Sequence, residues 1–207
     1  MNLDNINTII FDLGGVVLDI DYQLTQAAFE ALGATNFQEH YTQAAQNGLF
    51  DDYEIGKISS AHFINKVLEF MPAGTEANKV VHAWNAMIKE IPAENLELLK
   101  RLRQNYQIIA LSNTNALHID YFEGKLRKHG ENLKLADFFD HAYYSSELGK
   151  RKPHPETFQY VCDTHQLDKS KTLFIDDTIR HIEGAKTCGL NTFHFTDGAY
   201  NLGKIFG

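Results

Sequence analysis

Short apolar runs and longer segments with helical spacing alternate along most of the chain. Five of the short runs are rich in β-branched and aromatic residues and predict strands at 8–13, 107–113, 141–146, 172–177 and 192–196. The first, second and fourth runs are almost continuously apolar, which is typical of strands that are covered on both faces. The later strands are separated by helical patterns at 94–106, 155–165 and 179–188. This alternation predicts right-handed βαβ units and therefore an α/β fold with a doubly wound parallel sheet.

Residues 19–91 interrupt the alternation, because they contain only helical patterns, at 22–32, 59–70 and 76–89. A crossover between two parallel strands needs far fewer residues. We therefore expect a small helical cap at 19–91, inserted into an α/β core formed by 1–18 and 92–207. The insertion begins beside the end of the first strand, which favours a cap over a helical extension of the core with no role at a site.

The composition agrees with this picture, since 43% apolar and 22% charged residues among 207 are ordinary for a soluble globular protein. No apolar run reaches the ~18 residues of a membrane-spanning helix, and the N-terminus lacks the basic and apolar stretches of a secretory signal. The two cysteines, Cys162 and Cys188, are too few for a disulfide framework. We therefore expect a cytoplasmic protein without a membrane partner.

The net charge of −8 limits the classes of ligand that the chain could bind. Nucleic-acid binding relies on clustered Lys and Arg, so we expect no nucleic-acid partner. An acidic surface also repels phosphorylated ligands at long range. A site for a phosphate group would therefore need positive charge that is gathered locally.

Four polar clusters lie at the C-terminal ends of predicted strands, where open α/β sheets bind their ligands. They are Asp12-Leu13-Gly14-Gly15, Ser112-Asn113-Thr114, Lys152-Pro153 and Asp176-Asp177. Taken singly, each cluster has a structural interpretation, since an aspartate after a strand is often a helix N-cap and Ser-Asn-Thr is ordinary turn chemistry. Their occurrence together favours a functional interpretation.

The aspartates among these residues would repel one another if they met at the sheet edge. Asp12, Asp176 and Asp177 would then need a cation, and ligands that are all oxygen favour Mg2+. A carboxylate at such a site can attack phosphorus and form an aspartyl-phosphate. The transferred phosphoryl group needs further positive charge and hydrogen-bond donors. Ser112, Asn113 and Lys152, near the ends of the other strands, are residue types that can supply them.

In order and placement, the four clusters resemble the four motifs of the haloacid dehalogenase superfamily. The resemblance spans the whole predicted core and is strongest to small phosphatases that act on sugar phosphates, such as the bacterial α-D-glucose-1-phosphate phosphatases. The matching segments are FDLGGVVLDID, LSNTN, LGKRKPHPETF and FIDDTIRHIEGA. The resemblance implies that the first strand lies between the second and fourth, and that a helical cap is inserted at 19–91.

The resemblance also implies a role for each matched acidic residue. Asp12 would be the nucleophile and a metal ligand, and the backbone carbonyl of Gly14 would be a second ligand. Asp177 would bind Mg2+ directly, and Asp176 would bind it directly or through water.

The phosphate group would be held by a second set of matched residues. The resemblance assigns this role to Ser112, Asn113 and Lys152, and Lys152 is thereby also part of the catalytic machinery. Lys150 is the alternative lysine, but the match to a Lys-Pro pair favours Lys152, which precedes Pro153. Proline restricts the backbone of the residue before it, which helps to orient the lysine side chain.

Gly14 departs from the superfamily pattern. The usual first motif has a second aspartate two residues after the nucleophile, and this aspartate acts as general acid and base. Such help is worth about 10²–10⁴ in rate. Its loss is tolerated best when the leaving group is a good one, such as an anomeric sugar oxygen or an acyl phosphate. The glucose-1-phosphate phosphatases that the chain resembles also have glycine here, so we still expect activity.

Another residue could supply the proton in place of a side chain at position 14. Asp19 and Asp21 are near in sequence, although we expect them rather to form a solvated start of the cap or a helix N-cap. His62 and His82 in the cap are further candidates. His181 stands where related fourth motifs often have asparagine, and we expect it to pack or cap locally.

The leading hypothesis is a Mg2+-dependent phosphatase for a small phosphorylated metabolite, with a sugar phosphate favoured as substrate. Its alternative is a catalytically weak or inactive regulatory protein that binds phosphate, which the glycine at position 14 suggests. A receiver-like signalling domain would carry its acidic pair on the first strand and lack so large an insertion. Dehalogenation needs no metal, contrary to the paired Asp176-Asp177. The oligomeric state does not follow from the sequence.

Overall fold

The computed structural model describes residues 3–34, 48–127, 130 and 132–206. Its strands are β1 (Thr8–Phe11), β2 (Gln107–Ser112), β3 (His141–Tyr144), β4 (Thr172–Asp176) and β5 (Asn191–His194). They form one parallel sheet in the order β3-β2-β1-β4-β5. The predicted doubly wound α/β fold is confirmed, including the place of β1 between β2 and β4.

Helices cover both faces of this sheet. In chain order, the described α-helices are α1 (Tyr22–Ala31), α2 (Leu49–Glu54), α3 (Ser60–Leu68), α4 (Ala77–Asn85), α5 (Ala93–Leu102), α6 (Ala116–Leu126), α7 (Ser145–Leu148), α8 (Pro155–Thr164) and α9 (Ile179–Thr187). Alternate residues of β1 point to opposite faces. Phe11 packs in one apolar cluster with residues of α5 and α6, and Ile10 in another with residues of α8 and α9. Among the described helices, none combines the length and apolar character that a membrane crossing requires.

The segment between β1 and β2 has an apolar cluster of its own. Helices α1 to α4 contribute to it, and the ring of Phe63 lies between those of Tyr53 and Trp84, with centroid distances of 4.2 and 4.7 Å. The two chain segments that join this cluster to the sheet pair with each other, since Asp19 and Lys89 each take part in a backbone hydrogen bond between them. We propose that residues 19–91 form the cap; 35–47 of the predicted range lie outside the described residues.

Element boundaries differ from the predicted ones by a few residues. β1 ends at Phe11 rather than at 13, because the chain turns directly after Asp12. β3 ends at Tyr144, since α7 begins at Ser145, and the prediction of a strand to 146 is wrong. The sequence pattern does not predict α2, because its six residues are too few to display a helical period.

Candidate active site

The register of the sheet brings the ends of three strands together. Phe11 of β1 is the partner of Ala110 in β2 and of Ile175 in β4. The amide of Asp12 extends this ladder by donating to the carbonyl of Ile175 at 2.9 Å. Residues that directly follow these positions therefore meet at one edge of the sheet, as the sequence predicts.

A tight turn follows Asp12 and shapes that edge. The carbonyl of Leu13 accepts hydrogen bonds from the amides of Val17 and Leu18, both at 2.8 Å, and the amide of Gly15 donates to the carbonyl of Leu18 at 2.8 Å. Gly15 has φ +75°, in the left-handed region that favours glycine. The side chains of Val17 and Leu18 are buried, which anchors the turn to the core.

Gly15 is also needed because the carboxylate of Asp177 lies against it. A Cβ at this position would lie 2.1 Å from Asp177 Oδ2, closer than any real contact of this kind. The glycine therefore allows the backbone after β1 and the carboxylate after β4 to approach each other directly.

We predict that Gly15→Ala destabilises the protein more than an alanine at another glycine with positive φ. Gly74 has φ +85°, and a Cβ added there would meet no atom within 4 Å, so Gly74→Ala should lose only the about 1–2 kcal/mol of the left-handed backbone. Gly15→Ala carries the same loss and must also displace Asp177. Denaturant unfolding of both variants measures the difference, and equal losses would contradict the inferred contact.

Lys152 is completely buried between two of the carboxylates. Its Nζ lies 2.9 Å from Asp12 Oδ1 and 2.7 Å from Asp176 Oδ2. Burial alone would lower the pKa of Lys152, but Asp12 and Asp176 outweigh it and hold the pKa above its usual value. The structure thus places Lys152, rather than the partly exposed Lys150, at the sheet edge.

Asn113 fixes the backbone that carries this lysine. Its side-chain Nδ2 donates to the carbonyl of Lys152 at 2.9 Å, and its Oδ1 accepts from the Lys152 amide at 2.9 Å. The bond from Lys152 to Pro153 is cis. Asn113 therefore positions Lys152 through both ends of its amide group, a role that the sequence does not reveal. Its predicted contact with phosphate remains a prediction.

Asp176 has no exposed surface and is fully engaged by its neighbours. Its Oδ1 accepts from the Thr178 amide at 2.8 Å, and His181 Nδ1 lies 3.0 Å from each of its carboxylate oxygens. Burial would raise the pKa of Asp176, but Lys152 and His181 outweigh it, so the pKa lies below its usual value. Asp176 is therefore an ionised anchor for Lys152 and His181. Its predicted binding of a metal ion, directly or through water, remains a prediction.

The carboxylates of the site suit a divalent cation. Burial, followed by the repulsion from Asp176, raises the pKa of Asp12 well above its usual value, and the same two causes raise the pKa of Asp177. Three carboxylates, those of Asp12, Asp176 and Asp177, lie close together around one buried lysine ammonium. Ligand atoms of Asp12, Asp176 and His181 lie within 4.8 Å of one another. A hard ion such as Mg2+ suits carboxylate oxygens of this kind.

A cavity of about 350 Å3 opens in front of the sheet edge. Of the predicted site residues, its walls include Asp12, Gly14, Ser112, Asn113 and Asp177. Lys152 and Asp176 are buried behind these walls. The structure therefore brings the predicted residues together, as an exposed set around a cavity and a buried ion pair that supports it.

Other residues that line this cavity are not among the predicted site residues; they include Glu54, His118, Arg151 and Arg180. Glu54 comes from α2 of the insertion, and its Oε2 lies 2.9 Å from Nε of Arg151 in the core. Arg151 also contacts Asp51, one turn earlier on the same helix. The sequence gives no signal for this contact, because the residues are about a hundred positions apart and meet only in the folded chain.

The proton donors considered from the sequence do not reach the cavity. Asp21 is the N-cap of α1 and accepts a hydrogen bond from the Gln23 amide at 2.9 Å, and Asp19 forms an ion pair with Lys89. Asp21 therefore has the expected N-cap role, whereas Asp19 is largely buried in an ion pair rather than solvated. Within the described part of the chain, His62 and His82 line neither this cavity nor a second cavity beside it, which is lined by Gln23, Trp84 and His118 among others.

Comparison with known proteins gives a family match. A model of the haloacid dehalogenase-like hydrolases matches residues 6–189. A D-ribitol-5-phosphate phosphatase from Bacteroides thetaiotaomicron is 31% identical over 194 residues, which cover 94% of each protein.

Solved structures agree with this match over nearly the whole chain. A HAD family enzyme from Bacteroides thetaiotaomicron superposes with a TM-score of 0.86 at 29% identity, covering 98% of both chains. A HAD-like hydrolase from Porphyromonas gingivalis gives 0.85 at 29% identity, covering 97% of this chain and 96% of its own. The Bacteroides enzyme in complex with magnesium and inorganic phosphate gives 0.80 at 31% identity, covering 91% and 93% of the two chains.

Proposed function

This chain belongs to the haloacid dehalogenase-like hydrolase family, and we propose that it is a Mg2+-dependent phosphatase for a sugar phosphate or sugar-alcohol phosphate. The family predicted from the motifs is confirmed. The observation that supports the proposal most is the arrangement of Asp12 at the cavity wall, with Lys152 behind it and Asp177 on the same wall. Similarity to a D-ribitol-5-phosphate phosphatase supports the substrate class.

Asp12 would act as the nucleophile. Its carboxylate would attack the phosphorus atom in line with the departing ester oxygen and form an aspartyl-phosphate, which water then hydrolyses. Lys152 keeps Asp12 in place through the 2.9 Å contact and adds positive charge beside the phosphoryl group. The hydroxyl of Ser112, on the same cavity wall, would donate to a phosphoryl oxygen.

Mg2+ would be held by Asp12, the backbone carbonyl of Gly14 and Asp177, with Asp176 behind them. When bound, the ion neutralises the excess negative charge and polarises phosphoryl oxygens as a Lewis acid. Gly15 makes this set compact, because it lets Asp177 lie directly against the turn that carries Gly14.

A second cavity, of about 360 Å3, supports a hydroxyl-rich leaving group. It shares wall residues with the first cavity, among them Asn113 and His118. Its other walls include Gln23 and Gln26, residues whose carboxamides can both donate to and accept from hydroxyls. A chain of alcohol groups attached to the phosphate would fit such a lining.

The test is a panel of phosphorylated metabolites, assayed for phosphate release with Mg2+ and with EDTA. We expect release from sugar or sugar-alcohol phosphates, including D-ribitol 5-phosphate and glucose 1-phosphate, and also from acetyl phosphate. EDTA should abolish release and excess Mg2+ should restore it, because the carboxylates need the cation. Ligand binding without turnover across the panel would contradict the proposal and favour the regulatory alternative that Gly14 suggests.

A further inference from the structure

The proposed reaction lacks an obvious acid and base, because position 14 has no side chain. Ile20 occupies the adjacent space, with its Cδ1 3.1 Å from where a Cβ of residue 14 would lie. We propose that Glu54, the last residue of α2, is the catalytic acid and base of this enzyme. This inference rests on the proposed function and assigns the missing step to a residue of the insertion.

The position of Glu54 carries the inference. Its side chain lines both the cavity that contains Asp12 and the neighbouring cavity that would hold the leaving group. A general acid must reach the ester oxygen, which lies between the phosphorus atom and the rest of the substrate. A residue on the common wall of the two cavities is in the right place for this oxygen.

The two histidines that line the cavities are engaged elsewhere. The ring of His118 bonds through Nε2 to the carbonyl of Trp84 at 3.3 Å and through Nδ1 to Asn115 Nδ2 at 3.1 Å. Burial lowers the pKa of His118 to about 4, so the ring is neutral and structural at working pH. His181 lines only the first cavity and is bound to Asp176.

Among the described residues, the carboxylate of Glu54 is held by Arg151 alone. Its Oε2 forms an ion pair with Nε of Arg151, but neither atom makes a hydrogen bond to another described residue. Burial, and to a smaller extent the negative charge of Asp51, raise the pKa of Glu54. The positive charges of Arg151 and Lys152 lower it, but the pKa stays above its usual value. The carboxyl group is thus suited to exchange a proton with a ligand.

The backbone of Glu54 is tied to the loop that follows Ser112. The hydroxyl of Ser145 donates to the Glu54 carbonyl at 2.6 Å. The Oγ atom of Ser145 also accepts a hydrogen bond from the Thr114 amide at 2.9 Å. Two residues further on, Gly56 packs so closely that a Cβ there would lie 2.1 Å from the carbonyl oxygen of Ser146. The insertion is therefore fixed to the core at this point, which gives Glu54 a defined position relative to the site.

The chemistry has two proton transfers. In the first step, the bond between Asp12 and phosphorus forms while the bond to the ester oxygen breaks, and the Glu54 carboxylic acid gives its proton to the departing alkoxide. In the second step, the Glu54 carboxylate takes a proton from the attacking water, the bond from phosphorus to Asp12 breaks, and inorganic phosphate leaves. Glu54 is protonated again at the end.

The experiment compares Glu54→Gln with the wild type on two substrates, p-nitrophenyl phosphate and the best primary-alcohol phosphate of the panel. The value of kcat/KM reports the step in which the leaving group departs. An alkoxide needs a proton to leave, whereas p-nitrophenolate does not. We therefore expect kcat/KM for the alcohol phosphate to fall by about 10²–10⁴, and kcat/KM for p-nitrophenyl phosphate to change by no more than a few-fold.

Asp51→Asn is the matched control, since Asp51 contacts the same arginine but lines neither cavity. It should leave the ratio of the two kcat/KM values unchanged. Equal losses on both substrates in Glu54→Gln would overturn the inference and indicate a positioning role through Arg151, and no loss would overturn it as well. If Glu54→Gln does not fold, Glu54→Asp gives the same test, because the shortened side chain should again impair the alcohol phosphate more.

The proposed function is tested by a different result, the activity of the wild-type enzyme. Wild-type enzyme that releases no phosphate from any substrate with Mg2+ would refute the phosphatase itself. Mg2+-dependent release with an unchanged substrate ratio in Glu54→Gln would refute only the role of Glu54.

Discussion

Asp12→Asn should lower kcat for Mg2+-dependent phosphate release by about 10⁴-fold or more, the scale on which hydrolases lose activity without their nucleophile. The amide has no anionic oxygen to attack phosphorus. It also removes one of the carboxylates proposed to bind Mg2+, so Mg2+ should bind more weakly. Phosphate release by the purified variant at saturating substrate and Mg2+ measures the effect.

The same variant should remain folded. Burial and Asp176 raise the pKa of Asp12 well above its usual value, so its ionised form opposes folding at neutral pH. Asparagine removes that charge, and Lys152 keeps Asp176 as its partner at 2.7 Å. We therefore expect no loss in the free energy of unfolding without Mg2+. Asp197→Asn, at an exposed aspartate, is the control for activity. Phosphate release by Asp12→Asn near the wild-type rate would disprove the mechanism.

Lys152→Met should have the largest effect on stability. Removing one partner of a buried ion pair typically lowers the free energy of unfolding by about 3–5 kcal/mol, because the other charge is left uncompensated. Here two buried carboxylates, Asp12 and Asp176, would lose their common partner. Denaturant unfolding at neutral pH measures the loss. Lys150→Met, on the same loop, should be nearly neutral.

The loss in Lys152→Met should shrink as the pH falls. In the wild type, Asp176 has a lowered pKa, so it stabilises the fold above the usual carboxylate pKa of about 4 and loses that effect at lower pH. Without Lys152, burial and mutual repulsion raise the pKa of both carboxylates, and their protonation then favours the folded state. A gap that stays constant between about pH 7 and about pH 4 would contradict this explanation.

A second substitution tests the same ion pair at constant pH. Lys152→Met together with Asp176→Asn should recover part of the stability, since the buried charge that lacked a partner is removed. Losses that simply add would show that the two side chains contribute independently.

The sequence by itself determines the fold class and the general place of the site. Continuous apolar runs in β1, β2 and β4 are typical of strands in a covered parallel sheet, and parallel strands bring their carboxyl ends to one edge. Residues at the ends of those runs, among them Asp12 and Ser112, are therefore expected at that edge, and the family resemblance implies that they meet. Local chemistry also predicts Gly15 in a turn and helix α8 from Pro155, because backbone preferences act over a few neighbouring residues.

Only the tertiary structure determines which contacts each of these side chains makes. It shows that Asn113 holds the backbone of Lys152, that Asp176 is closed off by its neighbours, and that Glu54 stands between two cavities. These relations join residues that are far apart in sequence. Hydrogen bonds and burial depend on distances that the pattern of apolar and polar positions does not encode. The sequence thus determines which residues reach the site, and the packing of the insertion against the core determines their contacts there.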